Sequence, residues 1–460
     1  MEKLFKLKEH GTNVQREMVA GLTTFMAMAY ILAVNPSILS ATGMNGGAIF
    51  TATALASALA SILMGLVANL PFALSAGMGL NAYFAFTVVL GMGASWQLAL
   101  AAVFTEGIVF IILSLTNVRE AIFNSIPLTL KTAVSAGIGL FIIIIALINA
   151  HLVVDNPSTL VSLISIHGTL EAGTFHSIGI QAILCLVGII ITALLMYYKV
   201  HGNMLLGIIF TWLLGIACEF AGLYVPNPAE GFYSTIPTAF VSLPQSIETT
   251  IGQCFEGFKQ VQNGSISIFS FIVICFAFLF VDIFDTLGTL IGCAHSGKML
   301  DSRGRLPGIK GALVADAVGT TLGAFLGTST ITTFVESASG IAVGGRTGLT
   351  AITTAAFFLL ALFFSPLFLT IPSFATSPAL IMVGFLMLKN VSNIPWDDIT
   401  EAVPAFLTII AMPFFYSISE GISFGIISYV AINIAVGNTK KINPILIACT
   451  ILFVLKYIFI

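Results

Sequence analysis

The sequence predicts an all-α polytopic membrane protein with fourteen transmembrane segments, arranged as an inverted repeat of seven plus seven. Hydrophobic residues make up 58% of the 460 residues and charged residues only 8%, whereas a soluble domain carries about 25% charged residues. Apolar runs recur along the whole chain, and lysine and arginine are concentrated in alternate connections between them. This composition excludes a soluble enzyme, a disordered protein and a nucleic-acid binder.

The apolar runs fall into two sets of seven, preceded by a polar segment, 1–16, that we interpret as a cytoplasmic tail. The first set lies at 17–40, 48–69, 78–91, 96–116, 129–149, 177–198 and 203–223. A polar segment, 224–264, is predicted to be an outside loop. The second set lies at 265–293, 309–326, 336–345, 348–369, 374–391, 401–416 and 418–437. A further apolar tail, 442–460, either crosses the membrane or lies on it.

The distribution of positive charge predicts the orientation. With the N-terminus in the cytoplasm, every lysine and arginine except Lys259 and Lys456 falls in a cytoplasmic segment, as the positive-inside rule requires of a multi-pass protein of the cytoplasmic membrane. Seven spans per half place the second half upside down relative to the first. Transporters with this architecture bind their substrate near the midplane, between the repeats.

The third span of each half is interrupted. Residues 70–86 read LPFALSAGMGLNAYFAF and residues 326–342 read LGTSTITTFVESASGIA. Each has a polar or β-prone entry followed by a short helical piece. Interrupted segments at matching positions of two halves indicate a binding site. The alternative is two short or re-entrant helices without a ligand.

Acidic residues inside the predicted spans are rare. A charge at the bilayer centre costs roughly 2.5–3.5 kcal/mol on insertion scales, and the spans offer no lysine or arginine to pair with these acids. We interpret Glu106 as structural and Asp316 as a supporting residue that pairs across to another helix. The residues concerned are Glu106, Asp282, Asp285, Asp316 and Glu336.

Asp282, Asp285 and Thr289 share one face of the predicted eighth span, because residues three and four apart on a helix are neighbours. Two carboxylates this close are not both ionised without a large cost, so the pair is a candidate proton carrier. A structural polar stripe between helices is the alternative.

Glu336 lies where the interrupted segment becomes a short helix. The start of a helix favours an anion, so Glu336 is expected to be the permanently ionised carboxylate, with helix capping as the alternative role. Asn81 lies in the matching helix of the first half, where its amide serves either a ligand or a neighbouring helix.

Histidine and cysteine offer no competing chemistry. The six histidines fall in loops or the tail, and the six cysteines form no CxxC pair. The sequence therefore predicts no histidine proton relay, no metal site and no cofactor. The Asp282 and Asp285 pair makes a proton the expected coupling ion.

Four stretches carry a family resemblance: GTNVQREMVAGLTTFMAMAYILAVNP, ALSAGMGLNAYFAF, FVDIFDTLGTL, and LGTSTITTFVESASG followed by GGRTG. They resemble the purine permeases of the nucleobase–cation symporter-2 family, in its AzgA-like branch of hypoxanthine, guanine and adenine permeases. The resemblance covers nearly the whole chain.

The resemblance implies a division into two domains. A core (transport) domain would comprise 17–117 and 265–369, and a gate domain would comprise 129–223 and 374–437, the latter often forming a homodimer surface. Short antiparallel strands in spans 3 and 10 would meet at the site.

The resemblance also implies roles for individual residues. Asp285 takes the place of the principal carboxylate that grips the base, with Asp282, Glu336 and Asn81 at neighbouring binding positions. Thr289 stands where some relatives carry a histidine, so Asp282, Asp285 and Glu336 must handle the proton. Met78 stands where relatives stack an aromatic ring on the base. Stacking would then fall to Phe25 or Phe334, and Phe334 and Val335 would offer backbone groups.

These expectations combine into a proton-coupled importer of purine bases that is not an enzyme. Guanine and hypoxanthine present N1–H as a donor to an ionised carboxylate, whereas adenine presents N1 as an acceptor, so the oxopurines are favoured. The alternatives are an adenine-preferring permease, an anion transporter of the same fold and an intramembrane aspartyl enzyme using Asp285 and Asp316.

Overall fold

The computed structural model describes residues 2–116, 127–156, 158–227, 232–299 and 306–459, and the fold is mostly helical. In the first half of the chain, one short strand lies between helices, and a two-stranded hairpin follows further along. In chain order the elements are α1 Glu2–Phe5, α2 Val14–Met28, α3 Ile31–Ser40, α4 Gly46–Leu63, β1 Leu74–Ala76, α5 Met78–Ala82, α6 Trp96–Leu115, α7 Leu128–Asn149, β2 Val153–Asn156, β3 Leu160–Leu163, α8 Ile166–Glu171, α9 Ile180–Tyr197 and α10 Asn203–Phe220.

The second half begins with a surface helix and then repeats the pattern of long helix, short strand and short helix. Its elements are α11 Gln253–Gln262, α12 Ile268–Ser296, α13 Ile309–Leu326, β4 Ile331–Thr333, α14 Ser337–Val343, α15 Gly348–Ala361, α16 Ser365–Thr370, α17 Ser373–Leu388, α18 Ile399–Phe414, α19 Ile418–Ala435 and α20 Pro444–Phe459.

Eleven helical runs in the described residues are long and apolar enough to cross a membrane, which confirms the polytopic helical class. The other three predicted spans correspond to the shorter helical runs 78–91, 337–343 and 399–414. The count of fourteen and the inverted relation of the halves remain predictions. Arg119, Arg303 and Arg305, which contributed to the predicted orientation, lie outside the described residues.

The two interrupted spans join through a two-stranded antiparallel sheet, as the family resemblance implied. β1 and β4 pair Leu74 with Thr333, Ser75 with Thr332 and Ala76 with Ile331. We call this two-stranded sheet the ribbon. Two further hydrogen bonds extend it, from Gly77 N to Thr330 O and from Phe334 N to Ala73 O, both 3.0 Å. Buried backbone groups without a hydrogen-bond partner are unfavourable at membrane depth. Each interrupted segment supplies the hydrogen-bond partners for the backbone of the other.

Close backbone approach fixes the second span against the eleventh. A Cβ on Gly348 would lie 2.0 Å from Gly65 O, and one on Gly65 would lie 2.5 Å from Gly348 O. Small residues allow this close contact between helices. In lipid the hydrophobic effect does not drive helices together, so close packing has to stabilise their association. The contact joins the turn that directly follows α4 to the start of α15.

The polar segment 224–264 is partly folded onto the helices. Glu219 at the end of α10 accepts hydrogen bonds from Thr235 N at 2.7 Å and Thr235 Oγ1 at 2.6 Å. The helix α11 lies against α6, and a Cβ on Gly257 would lie only 2.1 Å from Gln97 O. This segment therefore carries its own helix.

The apolar tail forms the helix α20, which contacts both α12 and α19. Phe453 packs edge-on against Phe276, with ring centroids 5.6 Å apart. Tyr457 hydrogen-bonds Glu420 and lies 2.5 Å from Ser423 Oγ. The tail is thus packed on the helices.

Candidate functional site

The site forms where the ribbon ends. β1 leads through Gly77 into α5, β4 leads through 334–336 into α14, and α12 passes beside β4. Two carboxylates from distant parts of the chain, Asp285 and Glu336, lie beside the ribbon, and each accepts a hydrogen bond from one hydroxyl group. We call the group Tyr30, Asn81, Asp285, Thr332 and Glu336 the carboxylate site.

Asp285 lies in the middle of α12 and is partly buried. Its Oδ2 accepts a hydrogen bond from Thr332 Oγ1 at 3.3 Å. Thr332 belongs to β4, so the ribbon orients the carboxylate. The carboxyl groups of Asp316 and Glu336 act on Asp285 electrostatically.

Glu336 is the residue immediately before α14, where the sequence placed it. Its side chain does not cap that helix. Its Oε1 instead accepts a hydrogen bond from the Tyr30 hydroxyl at 2.7 Å. This contact joins the first span to the tenth and sets aside the capping role. The second oxygen of the carboxylate retains its acceptor capacity.

Asn81 is fully buried in α5. Its Oδ1 accepts a hydrogen bond from Ser329 Oγ, in the segment that leads into β4. Its Nδ2 is buried without a hydrogen-bond partner among the described residues. A buried donor left unpaired is unfavourable by about 1–3 kcal/mol, and a ligand with an acceptor atom would remove that cost.

The stripe on α12 divides between two neighbours. Asp285 contacts β4, whereas Asp282 is fully buried and contacts Thr286, whose Oγ1 lies 2.8 Å from Asp282 Oδ1. The same Oγ1 lies 2.8 Å from Asp316 Oδ1 on α13. Thr286 therefore bridges two buried carboxyl groups, and Asp316 pairs across to another helix as predicted.

The hydroxyl groups before β4 also hold their neighbours. Thr330 Oγ1 donates to Glu106 Oε2 at 3.0 Å, which fits the structural interpretation of Glu106. Asn35 Nδ2 donates to Thr328 Oγ1 at 2.9 Å. These bonds tie the entry of the interrupted span to α3 and α6.

Phe334 and Phe25, which were expected to contact the ligand, already have partners within the protein. Both main-chain groups of Phe334 are already bonded, the N–H to Ala73 O and the carbonyl to Ser337 N. The Phe334 N–H is therefore engaged within the protein, whereas its carbonyl keeps a second lone pair. The ligand role of Phe334 stays a prediction. Phe25 packs in a cluster with two phenylalanines of α15, its ring stacked on Phe357 and edge-on to Phe358.

The remaining candidates lie on the same elements. Met78 is the first residue of α5 and is 7% exposed, and Thr289 is partly buried on α12. Val335 lies between β4 and α14, and its side chain is 59% exposed. The contacts of the described residues assign Met78 and Thr289 no polar side-chain partner, whereas the Val335 carbonyl accepts from Cys293 Sγ at 3.5 Å. The ligand roles of all three remain predictions.

Sequence reasoning missed three hydroxyl-bearing residues, Tyr30, Thr286 and Thr332, each of which orients a carboxylate. The available signal was weak. Tyr30 is a polar-tipped side chain inside an apolar run, in MAYIL, and Thr286 stands one position beyond Asp285.

The described residues contain no group of three or more His, Cys, Asp or Glu side chains close enough to hold a metal ion. A surface cavity of about 480 Å³ lies between the end of α3 and the facing ends of α7 and α17. Ser37, Asn149, His151, Asp155 and Ser373 contribute polar groups to its lining.

Known proteins match this chain along its length. It is 43% identical over 468 residues to the guanine/hypoxanthine permease PbuG of Bacillus subtilis, covering 100% of both chains. It is 41% identical over 460 residues to the adenine permease AdeP of Escherichia coli, covering 100% of this chain and 96% of AdeP.

A solved structure shares the fold. The transmembrane domain of a cyanobacterial bicarbonate transporter, BicA, superposes with a TM-score of 0.65 at 15% identity, over 90% of this chain and 97% of that one. The family model Xan_ur_permease, described as a permease family, matches residues 15–424. The chain therefore belongs to the Xan_ur_permease family of the nucleobase–cation symporters, whose members are transporters and not enzymes.

Proposed function

We propose that this protein imports purine nucleobases across the cytoplasmic membrane, favours guanine and hypoxanthine, and couples their uptake to protons. One observation carries the proposal. Two carboxylates, Asp285 and Glu336, meet beside an interrupted-helix ribbon, and neither has an ion-pair partner among the described residues. Each is held by one hydroxyl and retains acceptor capacity for the N–H groups of a base.

The donor and acceptor pattern suits an oxopurine. The N1–H of hypoxanthine and the N1–H and 2-amino group of guanine would donate to a carboxylate, which accepts two such bonds well. The unpaired Asn81 Nδ2 would donate to an acceptor atom on the base. Adenine presents N1 as an acceptor, so an ionised carboxylate facing that edge would repel it.

The relatives support a nucleobase substrate without choosing one. PbuG is named a guanine/hypoxanthine permease and AdeP an adenine permease, at nearly equal identity. An adenine-preferring permease is therefore the runner-up. The likeness to BicA concerns the fold alone, and the two carboxylates disfavour an anion as the substrate.

The number of protons available for the hydrogen bonds between Thr286, Asp282 and Asp316 supports proton coupling. The Thr286 hydroxyl has one proton, yet its oxygen lies 2.8 Å from an oxygen of both Asp282 and Asp316. It donates to one carboxylate, and the other contact is a hydrogen bond only if that carboxyl group carries a proton. We infer that this trio holds a transported proton beside the carboxylate site.

Competition decides the substrate. Labelled hypoxanthine uptake is measured in cells lacking their own purine permeases, with unlabelled guanine, adenine, xanthine and uracil as competitors. We expect guanine to compete strongly, adenine weakly and uracil not at all. Adenine competing as well as guanine would refute the donor-edge argument, and absence of any purine uptake at normal surface expression would refute the proposed function.

A further inference from the structure

Glu17 is a fully buried carboxylate that the carboxylate site does not use. It lies in the first turn of α2, near the cytoplasmic end of the first span in the predicted orientation. A buried carboxylate is strongly unfavourable unless hydrogen bonds replace its water. Its surroundings therefore have to supply donors.

Five hydrogen bonds reach the Glu17 carboxylate, all from the turn before α15 and its first residues. Arg346 N donates to Oε1 at 2.9 Å. Thr347 donates to Oε2 from its N–H at 3.2 Å and its hydroxyl at 2.9 Å. Thr350 donates to Oε2 from its N–H at 3.2 Å and its hydroxyl at 2.6 Å. Glu17 thus satisfies N–H groups at the start of a helix to which it does not belong.

The same turn also holds the end of α14, the short helix that follows Glu336. Arg346 Nη1 donates to Ile341 O at 2.6 Å and Gly345 O at 2.7 Å. On its other side α14 lies tightly against α2, where a Cβ on Gly340 would lie 2.1 Å from Thr24 Oγ1. α14 is therefore confined between α2 and the turn that Glu17 holds.

We propose that Glu17 is a positioning residue for the binding carboxylate Glu336. The first span contacts the tenth at both ends of α14, through Tyr30 at Glu336 and through Glu17 at the turn after the helix. Fixing both ends sets the position of Glu336 relative to Tyr30. This inference rests on the proposed function, because it assigns Glu336 to substrate binding.

The test compares uptake kinetics of Glu17→Ala, Glu17→Gln and the control Glu9→Ala. The control removes an acid that is 66% exposed and lies in the N-terminal segment before α2. Glutamine can place its carbonyl oxygen at the Oε2 position, which accepts four of the five bonds. We expect the KM for hypoxanthine to rise about tenfold or more in Glu17→Ala, to return most of the way in Glu17→Gln, and to stay at the wild-type value in Glu9→Ala.

A purely structural role makes a different prediction. It lowers the amount of transporter at the surface and its melting temperature, and leaves the KM of the surviving transporter unchanged. That result would overturn the positioning role. If Glu17→Ala fails to reach the surface, Thr350→Val removes one donor while keeping the branched shape, and its KM should rise by a smaller factor. An unchanged KM in Thr350→Val would then refute the proposal.

The double variant Glu17→Ala/Tyr30→Phe supplies a second readout. If both residues position Glu336, their effects on KM should be less than multiplicative, whereas multiplicative effects would contradict the shared role. Wild-type protein that takes up no purine would refute the proposed function. Normal wild-type uptake with an unchanged Glu17→Ala KM would refute the positioning role alone.

Discussion

Uncharged hydroxyl groups set the geometry of the charged residues. Tyr30 holds Glu336, Thr332 holds Asp285, and Thr286 lies between Asp282 and Asp316. Hydrogen bonds to a charged group contribute about 1.5–3 kcal/mol. Binding should therefore be sensitive to side chains that carry no charge.

Removing the Tyr30 hydroxyl should weaken substrate binding. Tyr30→Phe keeps the ring and deletes the donor to Glu336, so the carboxylate loses its fixed orientation. A loss of about 1.5–3 kcal/mol corresponds to roughly a 10- to 100-fold rise in KM. Uptake kinetics at matched surface expression measure it. Tyr429→Phe deletes a similar bond to Glu401, 3.2 Å long and away from the site, and should leave the KM unchanged. Equal effects of the two variants would contradict this prediction.

The sequence shows which acids matter but not what holds them. Asp285 and Glu336 are conspicuous because a charge in an apolar run is costly and therefore rare. Tyr30, Thr286 and Thr332 are inconspicuous because hydroxyl side chains enter spans at little cost, and their partners lie far along the chain. The bonded amide of Phe334 was unpredictable for the same reason, since it depends on the pairing of two distant strands.

At the scale of elements, the ribbon of β1 and β4 connects the two interrupted spans and positions Thr332 beside Asp285. The alternation of a strand sends Thr332 towards Asp285, and Gly77 lies beside Thr332 at the end of β1. A Cβ on Gly77 would lie 2.9 Å from Thr332 Oγ1. The interrupted spans were readable from their polar, β-prone composition. The helix α11 was missed because its sequence is polar and lies outside the apolar runs.

Gly77→Ala should displace the Thr332 hydroxyl from Asp285. The backbone of Gly77, at φ −68° and ψ 127°, suits alanine, so the effect must come from the new contact. Overpacking costs about 1–3 kcal/mol, and we expect KM to rise roughly 5- to 100-fold. Gly46→Ala is the control, because its Cβ would meet only Ser40 Oγ, at 3.1 Å. A wild-type KM in Gly77→Ala would show that the ribbon does not set the position of Asp285.

At the scale of the whole molecule, the chain shares the fold of the BicA transmembrane domain. The division into core and gate domains, the dimer surface and the cytoplasmic N-terminus stay predictions. Composition and charge placement were enough for the class of fold because the bilayer permits few solutions. They could not give the contacts of the tail helix α20, which depend on the shape of the helices beneath it.

Proton coupling should make accumulation follow the pH gradient. Each proton carried lets a gradient of one pH unit support roughly tenfold accumulation. Uptake should rise as external pH falls, and a protonophore should abolish accumulation. Thr286→Val and Asp282→Asn should reduce accumulation more than equilibrium binding. Accumulation that survives a collapsed proton gradient and follows sodium would contradict the coupling.

His151 is the control for this pH dependence, because it lines the surface cavity at the end of α3. Burial lowers its pKa below 6.5. Protonation then favours the unfolded state, so acidification through pH 6.5 destabilises the fold around His151 and should reduce uptake. A rise in uptake on acidification therefore has the opposite sign, and it should persist in His151→Gln. Its loss in that variant would assign the pH response to His151.

The ribbon also has a consequence for biosynthesis. Residues 74–76 are made early, yet their partners, residues 331–333, are made only after most of the chain. Until then the nascent β1 backbone lacks its strand partner at membrane depth, where lipid offers no hydrogen bonds. The first half must therefore keep the β1 backbone away from lipid until β4 has been made. The contacts that complete the translocation pathway are thus among the last long-range contacts to form.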